Sequence, residues 1–176
     1  MNLKLKRTPG IYLVGFMACG KSTVGRMYAE EIGWDFADLD EDIESWQQTT
    51  ISDLFARLGE PEFRRIETEA ITRRIHSVRN GWPTVLALGG GAFAREDNIQ
   101  LLNEHGITVW LDTPLNIIKE RVGQSCHRPL ARDPERFERL YTQRLEFYER
   151  AAYRLTIPDG SSRTALRALV DLRLLD

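Results

Sequence analysis

A glycine-lysine-hydroxyl cluster, GFMACGKST, begins at Gly15. In the spacing Gly15-x-x-x-x-Gly20-Lys21-Ser22, glycines let backbone N–H groups face a phosphate, lysine reaches the β- and γ-phosphates, and serine can ligate Mg²⁺. The cluster follows a predicted strand and precedes a predicted helix, which is the context that the motif requires. The sequence therefore predicts a nucleotide phosphate site, with Cys19 as a small filler of the loop and not a nucleophile.

Two carboxylates, Asp38 and Asp40, lie at the end of a second predicted strand, over residues 36–39. In an extended chain, residues two apart point the same way, so both could converge beyond the strand ends, where open parallel sheets bind ligands. One could hold Mg²⁺ and the other could accept a proton from a substrate hydroxyl. In the alternative, Asp40, Glu41 and Asp42 only decorate a helix N-terminus.

Two arginines interrupt apolar helical stripes. Arg144 lies near the middle of the stripe of a helix predicted over 135–152. A buried guanidinium without an anion costs on the order of several kcal/mol, so Arg144 needs a carboxylate or phosphate partner. Arg64 lies on the flank of a helix predicted over 61–78, three residues before Glu67. This spacing allows a structural ion pair, or an arginine that Glu67 orients towards a ligand anion.

Further arginines lie around the stretch 123–134, which has no clear periodicity and is the best candidate for a mobile loop. Arg128 and Arg132 could be solvated, or could swing in to meet charge that develops during phosphoryl transfer. Arg121 precedes the loop and could stack on a purine.

Three consecutive glycines, Gly89, Gly90 and Gly91, end a strand predicted over 84–88. Consecutive glycines cost conformational entropy, and their use would be a close approach of the backbone to a ligand. A loose turn is the alternative. Their place at a strand end favours the ligand.

Five short apolar strands, alternating with helices, must position these groups; they are predicted at 11–15, 36–39, 84–88, 107–112 and 155–157. The alternation predicts an α/β fold with a parallel sheet, and 176 residues suit one domain. A net charge of −2 gives no sign of a nucleic-acid or membrane partner. Two cysteines and a first apolar run too short for a signal peptide lead us to expect a cytoplasmic protein.

Six motifs in this order and spacing resemble the shikimate kinase family: GFMACGKST, FADLDEDIE, EFRRIE, LALGGGA, HRPL and QRLEFY. The resemblance covers residues 11–157. It implies a three-layer P-loop kinase fold of the nucleoside-monophosphate-kinase type, with a five-stranded parallel sheet flanked by helices. It also implies a single kinase domain over 1–176, a substrate-binding helical segment at about 40–78 and a mobile lid at about 123–134.

The implied reaction transfers the γ-phosphoryl group of ATP to the 3-hydroxyl of shikimate, on the route to chorismate and the aromatic amino acids. Mg²⁺ is the implied cofactor, and we expect a monomer. The resemblance makes catalytic residues of Lys21, Asp40 and Arg128. It assigns ATP binding to Gly15, Ala18, Cys19, Gly20, Lys21, Ser22, Thr23, Arg121 and Arg128. It assigns substrate binding to Asp40, Arg64, Gly89, Gly90, Gly91 and Arg144. It places the metal at Ser22 and Asp38.

The chain departs from the family pattern at three positions: Ala18 stands where glycine is frequent, Gln143 where lysine is frequent and Ala131 where leucine is common. These departures concern fine tuning more than activity. Two other functions remain open, a gluconate-type sugar-acid kinase and a non-catalytic nucleotide-binding regulator. A regulator would need neither a base nor a lid arginine.

Overall fold

A parallel five-stranded sheet forms the centre of the computed structural model, which describes residues 9–123 and 133–175. In chain order the strands are β1 (Gly10–Val14), β2 (Asp35–Asp38), β3 (Thr84–Ala87), β4 (Gly106–Asp112) and β5 (Tyr153–Thr156). Their order in the sheet is β2-β3-β1-β4-β5, and every pairing is parallel. The predicted strands are therefore confirmed, with ends that differ by one or two residues.

Helices connect the strands in the described part of the chain. They are α1 (Lys21–Ile32), α2 (Leu39–Gln47), α3 (Ile51–Arg79), α4 (Glu96–His105), α5 (Leu115–Gly123), α6 (Pro134–Tyr148) and α7 (Ser162–Asp171). Crossover helices between parallel strands bury the sheet, as in other doubly wound α/β folds. The predicted α/β fold, a five-stranded parallel sheet flanked by helices, is confirmed. None of these helices is long and apolar enough to cross a membrane.

Strand register brings the predicted site residues to one edge of the sheet. The central strand β1 is buried along its whole length, and Leu13 pairs with Ala87 of β3. Ala87 pairs in turn with Asp38 of β2. Because all three strands run the same way, the glycine-lysine loop, the carboxylates and the three glycines follow strand ends that are neighbours.

Helix α3 is longer than the sequence predicts, because two helical segments join at Gly59. This glycine has φ 77° and ψ 170°, a conformation that is open almost only to glycine. The first segment starts at Ile51, and the hydroxyl of the preceding Thr50 caps it by accepting a hydrogen bond from the N–H of Asp53 at 3.1 Å. The helix predicted over 135–152 ends earlier, at Tyr148.

Candidate functional site

The loop between β1 and α1 is shaped by its glycines. Gly15 has φ 141°, and a Cβ at this position would lie 2.9 Å from the carbonyl oxygen of Leu111. Gly20, the residue before α1, has φ 106°. Both positions therefore require glycine on conformational grounds. Ala18, between them, also has a positive φ, of 59°, so this departure from the family pattern places a Cβ in a region that favours glycine.

Lys21 is buried at the bottom of this loop. Its ammonium donates to the carbonyl oxygens of Gly15 at 2.9 Å and Phe16 at 2.8 Å, and it lies 3.6 Å from the sulfur of Cys19. Cys19 is itself buried and fills the loop, as the sequence predicts. An ammonium group has three N–H donors, so two of them hold the loop closed and the third faces the thiol.

The N-terminus of α1 is arranged to receive an anion. No side chain caps it, and its first turn has no acidic residue. Its N–H groups and the positive end of the helix dipole therefore remain available to a phosphate. They open into a cavity of about 510 Å³, here called the P-loop cavity. Among its lining residues are Ala18, Cys19, Gly20, Lys21, Ser22, Thr23, Asp38, Asp40 and Arg121.

The two carboxylates approach this cavity by a route that differs from the predicted one. Asp38 ends β2 and caps α2, because its Oδ1 accepts the N–H of Asp40 at 3.0 Å. Asp40 is therefore in the first turn of a helix, and the alternation of an extended strand does not apply to it. The other oxygen of Asp38 accepts the hydroxyl of Ser22 at 2.6 Å. Asp40 thus lies at a helix N-terminus, as in the alternative interpretation of the sequence. Asp38 and Asp40 nevertheless both line the P-loop cavity.

Arg121 joins two loops at the mouth of the P-loop cavity. Its guanidinium donates to the carbonyl oxygen of Ala18 at 2.9 Å and to that of Gly160, which lies between β5 and α7. The predicted stacking of Arg121 on a purine stays a prediction. Its position on the cavity wall is compatible with that role.

A second cavity, of about 340 Å³, opens beside the first. We call it the arginine cavity because Arg64 and Arg144 line it. Its apolar wall consists of Met17, Ile51, Phe55 and Phe63, and its polar wall includes Asp40, Glu67 and the three glycines. The predicted substrate-binding residues are thus brought together in one place.

Arg64, which lines the arginine cavity, is held by two carboxylates. Its Nη1 donates to both oxygens of Glu67, at 3.0 and 3.2 Å. Its Nη2 and Nε donate to one oxygen of Glu60, at 3.1 and 3.3 Å. The side chain of Glu67 is 2% exposed, whereas that of Glu60 is 65% exposed. The ion pair between Arg64 and Glu67, one of the two predicted alternatives, is therefore present. Glu60 is a second carboxylate partner that the sequence did not indicate.

Burial raises the pKa of Glu67 above its usual value, and the adjacent Arg64 opposes this effect. Asp40 adds a smaller raising effect and Arg95 a smaller lowering one. Glu67 is almost completely buried, whereas Arg64, Asp40 and Arg95 are not. A carboxylate in that position depends on its cation to remain charged.

Arg144 lies opposite Arg64 across the glycine turn. Its guanidinium carbon is 5.5 Å from the ring centroid of Phe16. Within residues 9–123 and 133–175, no carboxylate lies in salt-bridge distance of Arg144. None of the described residues therefore supplies the carboxylate partner that Arg144 needs in its apolar stripe. This favours a bound ligand as the source of that anion.

The three glycines allow the close approaches that the sequence suggested. A Cβ at Gly89 would lie 2.6 Å from Oδ1 of Asp40, and one at Gly91 would lie 2.9 Å from the Nη atoms of Arg64. The Nη2 of Arg144 would be 3.2 Å from the same Cβ at Gly91. Side chains at these positions would therefore displace the charged groups of the arginine cavity.

Asn98 of α4 supports the glycine turn and was not identified from the sequence. Its side chain is completely buried, its amide N–H donates to the carbonyl oxygen of Ala92 at 2.9 Å, and its amide oxygen accepts the hydroxyl of Thr68 at 2.8 Å. Thr68 follows Glu67 in α3, so Asn98 connects the glycine turn to the helix that carries Arg64. A polar residue next to Ile99 on the buried side of α4 was the available signal.

The predicted lid arginine, Arg128, lies outside the described residues, as do Arg132 and Ala131. Most of the stretch 123–134 falls in the same gap. The roles predicted for them stay predictions.

Comparisons with known proteins agree with the geometry. The family model for shikimate kinase matches residues 17–172. A shikimate kinase of Persephonella marina is 38% identical over 147 residues, which are 83% of this chain and 87% of that protein. One of Ruegeria pomeroyi is 39% identical over 92% of this chain and 80% of its own length.

Solved structures extend this similarity to the fold. The shikimate kinase of Acinetobacter baumannii, in complex with shikimate, superimposes with a TM-score of 0.82 at 34% identity. The match covers 94% of this chain and 92% of the other. The two chains are therefore similar in sequence and in fold over nearly their whole length.

Proposed function

The chain belongs to the shikimate kinase family, and we propose that the two cavities described above hold the substrates of its reaction. In that reaction the γ-phosphoryl group of ATP passes to a hydroxyl group of shikimate. One observation carries the assignment of the cavities. Met17, Asp40, Gly89 and Gly90 line both of them. Two substrates that fill the cavities would meet at this shared wall.

ATP is assigned to the P-loop cavity. The uncapped N-terminus of α1 and the loop glycines offer backbone N–H groups to the phosphates. Lys21 adds a positive charge, and it can exchange its contact with Cys19 for a phosphate oxygen while its bonds to Gly15 and Phe16 keep the loop in shape. Such fixed donors stabilise the charge that develops during transfer.

The donor set at Ser22 and Asp38 fits Mg²⁺. A hydroxyl and a carboxylate oxygen lie 2.6 Å apart at the wall of the P-loop cavity. Magnesium prefers such hard oxygen ligands and is commonly held by one or two carboxylates together with substrate phosphates. When bound, the ion would neutralise phosphate charge. We therefore assign its protein ligands to Ser22 and Asp38.

Shikimate is assigned to the arginine cavity. Its carboxylate would lie between Arg64 and Arg144, which approach each other across Gly91. Its hydroxyl groups would then extend towards Asp40, which belongs to both cavities. Asp40 can accept a hydrogen bond from the reacting hydroxyl and orient it, and can take its proton as the new O–P bond forms and the bond from the γ-phosphorus to the leaving ADP oxygen breaks.

Three further assignments rest on the sequence. Arg128 would be the lid arginine that faces ATP, the protein would be a monomer, and it would act in the cytoplasm. They stay predictions.

A coupled ADP-release assay with shikimate, with gluconate and without acceptor tests the function. We expect turnover that depends on ATP, Mg²⁺ and shikimate. Turnover with gluconate alone would favour the sugar-acid kinase, and no turnover with any acceptor would favour the nucleotide-binding regulator.

The variant Arg144→Met tests the placement of the acceptor. Truncating one partner of a buried charge pair costs about 2–5 kcal/mol, and Arg144 is only partly buried, so the lower end applies. A loss of about 2 kcal/mol corresponds to a KM for shikimate roughly thirtyfold higher. The KM for ATP should not change. The matched control is Arg139→Met on the same helix, where an exposed arginine pairs with Glu135. Equal effects on both KM values would reject the placement.

A further inference from the structure

We propose that Glu60 competes with the carboxylate of shikimate for Arg64, so that substrate binding is an exchange of one carboxylate for another. The proposal rests on the assignment of shikimate to the arginine cavity. It gives Glu60 a role in setting acceptor affinity that the sequence motifs do not indicate.

The competition follows from the donors that Glu60 uses. A guanidinium binds a carboxylate best through two parallel N–H groups. The Nε and Nη2 of Arg64, which form such a pair, both point to Glu60, and Nη1 points to Glu67. A third carboxylate can form two good hydrogen bonds with Arg64 only if one of these two gives way.

Glu60 is the partner that can give way. Glu67 is 2% exposed, so little water could replace its ion pair, whereas Glu60 is 65% exposed. Surface ion pairs contribute little, because water solvates the separated groups well. Glu60 also lines a third cavity, of about 490 Å³, together with Arg95. A displaced Glu60 therefore has both open space and a cation beside it.

Arg144 supplies the additional binding free energy that drives the exchange of carboxylates. It lies across Gly91 from Arg64 and has no carboxylate partner among the described residues. The substrate carboxylate would bridge both arginines, whereas Glu60 contacts only one of them. An acceptor that lacks a carboxylate cannot form this bridge, so Glu60 would also disfavour neutral acceptors.

The test compares Glu60→Gln and Glu60→Ala with the unaltered protein by calorimetric titration with shikimate and by steady-state kinetics at constant ionic strength. Removing a competing surface ion pair should lower the Kd and KM for shikimate by about twofold to fivefold, with alanine having at least the effect of glutamine. The KM for ATP should stay the same. The control is Glu62→Gln, because Glu62 pairs with Arg65 on the same helix and does not contact Arg64. This control should change neither constant.

The direction of the change in the Kd for shikimate decides whether Glu60 competes with the substrate. A higher or unchanged Kd for shikimate in both Glu60 variants would overturn the proposal, because Glu60 would then be holding Arg64 in place for the substrate. Failure of the unaltered protein to bind and phosphorylate shikimate would reject the proposed function itself. The two failures are thus distinguishable.

Discussion

Replacing Arg64 and Arg144 one at a time by methionine should lower stability by very different amounts, although both arginines are assigned to the same substrate group. Arg64→Met leaves the carboxylate of Glu67, which is 2% exposed, without its cation. Breaking a buried pair in this way costs about 3–5 kcal/mol. For a chain of 176 residues, that loss lowers the midpoint of thermal unfolding by about 6–20 °C.

Arg144→Met should cost far less. Arg144 has no carboxylate partner within the described residues, and its replacement removes a contact with the ring of Phe16 and a hydrogen bond with the hydroxyl of Tyr148. A cation–π contact of this kind contributes about 1 kcal/mol or less. With about 1 kcal/mol more for the hydrogen bond with Tyr148, the midpoint should fall by no more than about 8 °C.

The pH dependence supplies a second test. Burial raises the pKa of Glu67 in the folded protein, and loss of Arg64 would raise this pKa further. A carboxyl group with a raised folded pKa stabilises the fold most below its unfolded pKa, and this contribution is lost as the pH rises through the folded pKa. The Arg64→Met variant should therefore regain stability as the pH is lowered from 7 towards 5, relative to the unaltered protein.

Thermal unfolding followed by circular dichroism at pH 7 and pH 5 measures these differences. The double variant Arg64→Met/Glu67→Gln is the matched control, because it removes the buried charge along with its partner. It should recover most of the lost stability. Equal midpoints for Arg64→Met and Arg144→Met, or no recovery in the double variant, would refute the account of Glu67.

Two further outcomes are expected. Asp40→Asn should lower kcat by about a hundredfold and leave the KM for ATP unchanged, because general-base assistance contributes about 10²–10⁴-fold; an unchanged kcat would remove Asp40 from the chemistry. Asn98→Leu should destabilise the protein by about 2 kcal/mol, the cost of leaving buried polar groups unpaired, and should raise the KM for shikimate more than that for ATP. Asn103→Leu, at the exposed end of the same helix, should leave both KM values unchanged, and equal KM changes in the Asn98 variant would mean that its role is only structural.

The sequence predicted the sheet well because its signals are local. Each strand is a short apolar run, and Gly15, Gly20 and Lys21 follow the first strand in a spacing that has one common structural use. The parallel topology then follows from the alternation of strands with helices. The strand ends carry the glycine-lysine loop, the carboxylates and the three glycines, so the placement of these groups at one edge of the sheet could be predicted along with the fold.

The contacts between distant segments could not be predicted in the same way. Glu60 lies on an exposed turn of α3, and its spacing of four from Arg64 is common to many surface pairs. Asn98 reaches Thr68, thirty residues earlier in the chain, only after α3 and α4 have packed. Periodicity indicates which face of a helix is buried, but it does not identify the partner of a polar group on that face.

The start of α2 also explains how two neighbouring aspartates acquire different tasks. Both oxygens of Asp38 accept hydrogen bonds, one from Ser22 and one from the N–H of Asp40. Asp38 is thereby fixed on the phosphate side, and it lines only the P-loop cavity of the two. The same cap turns the chain into a helix, which carries Asp40 to the wall that both cavities share. In a continuous strand the two carboxylates would point the same way, and they would not be divided between the two cavities.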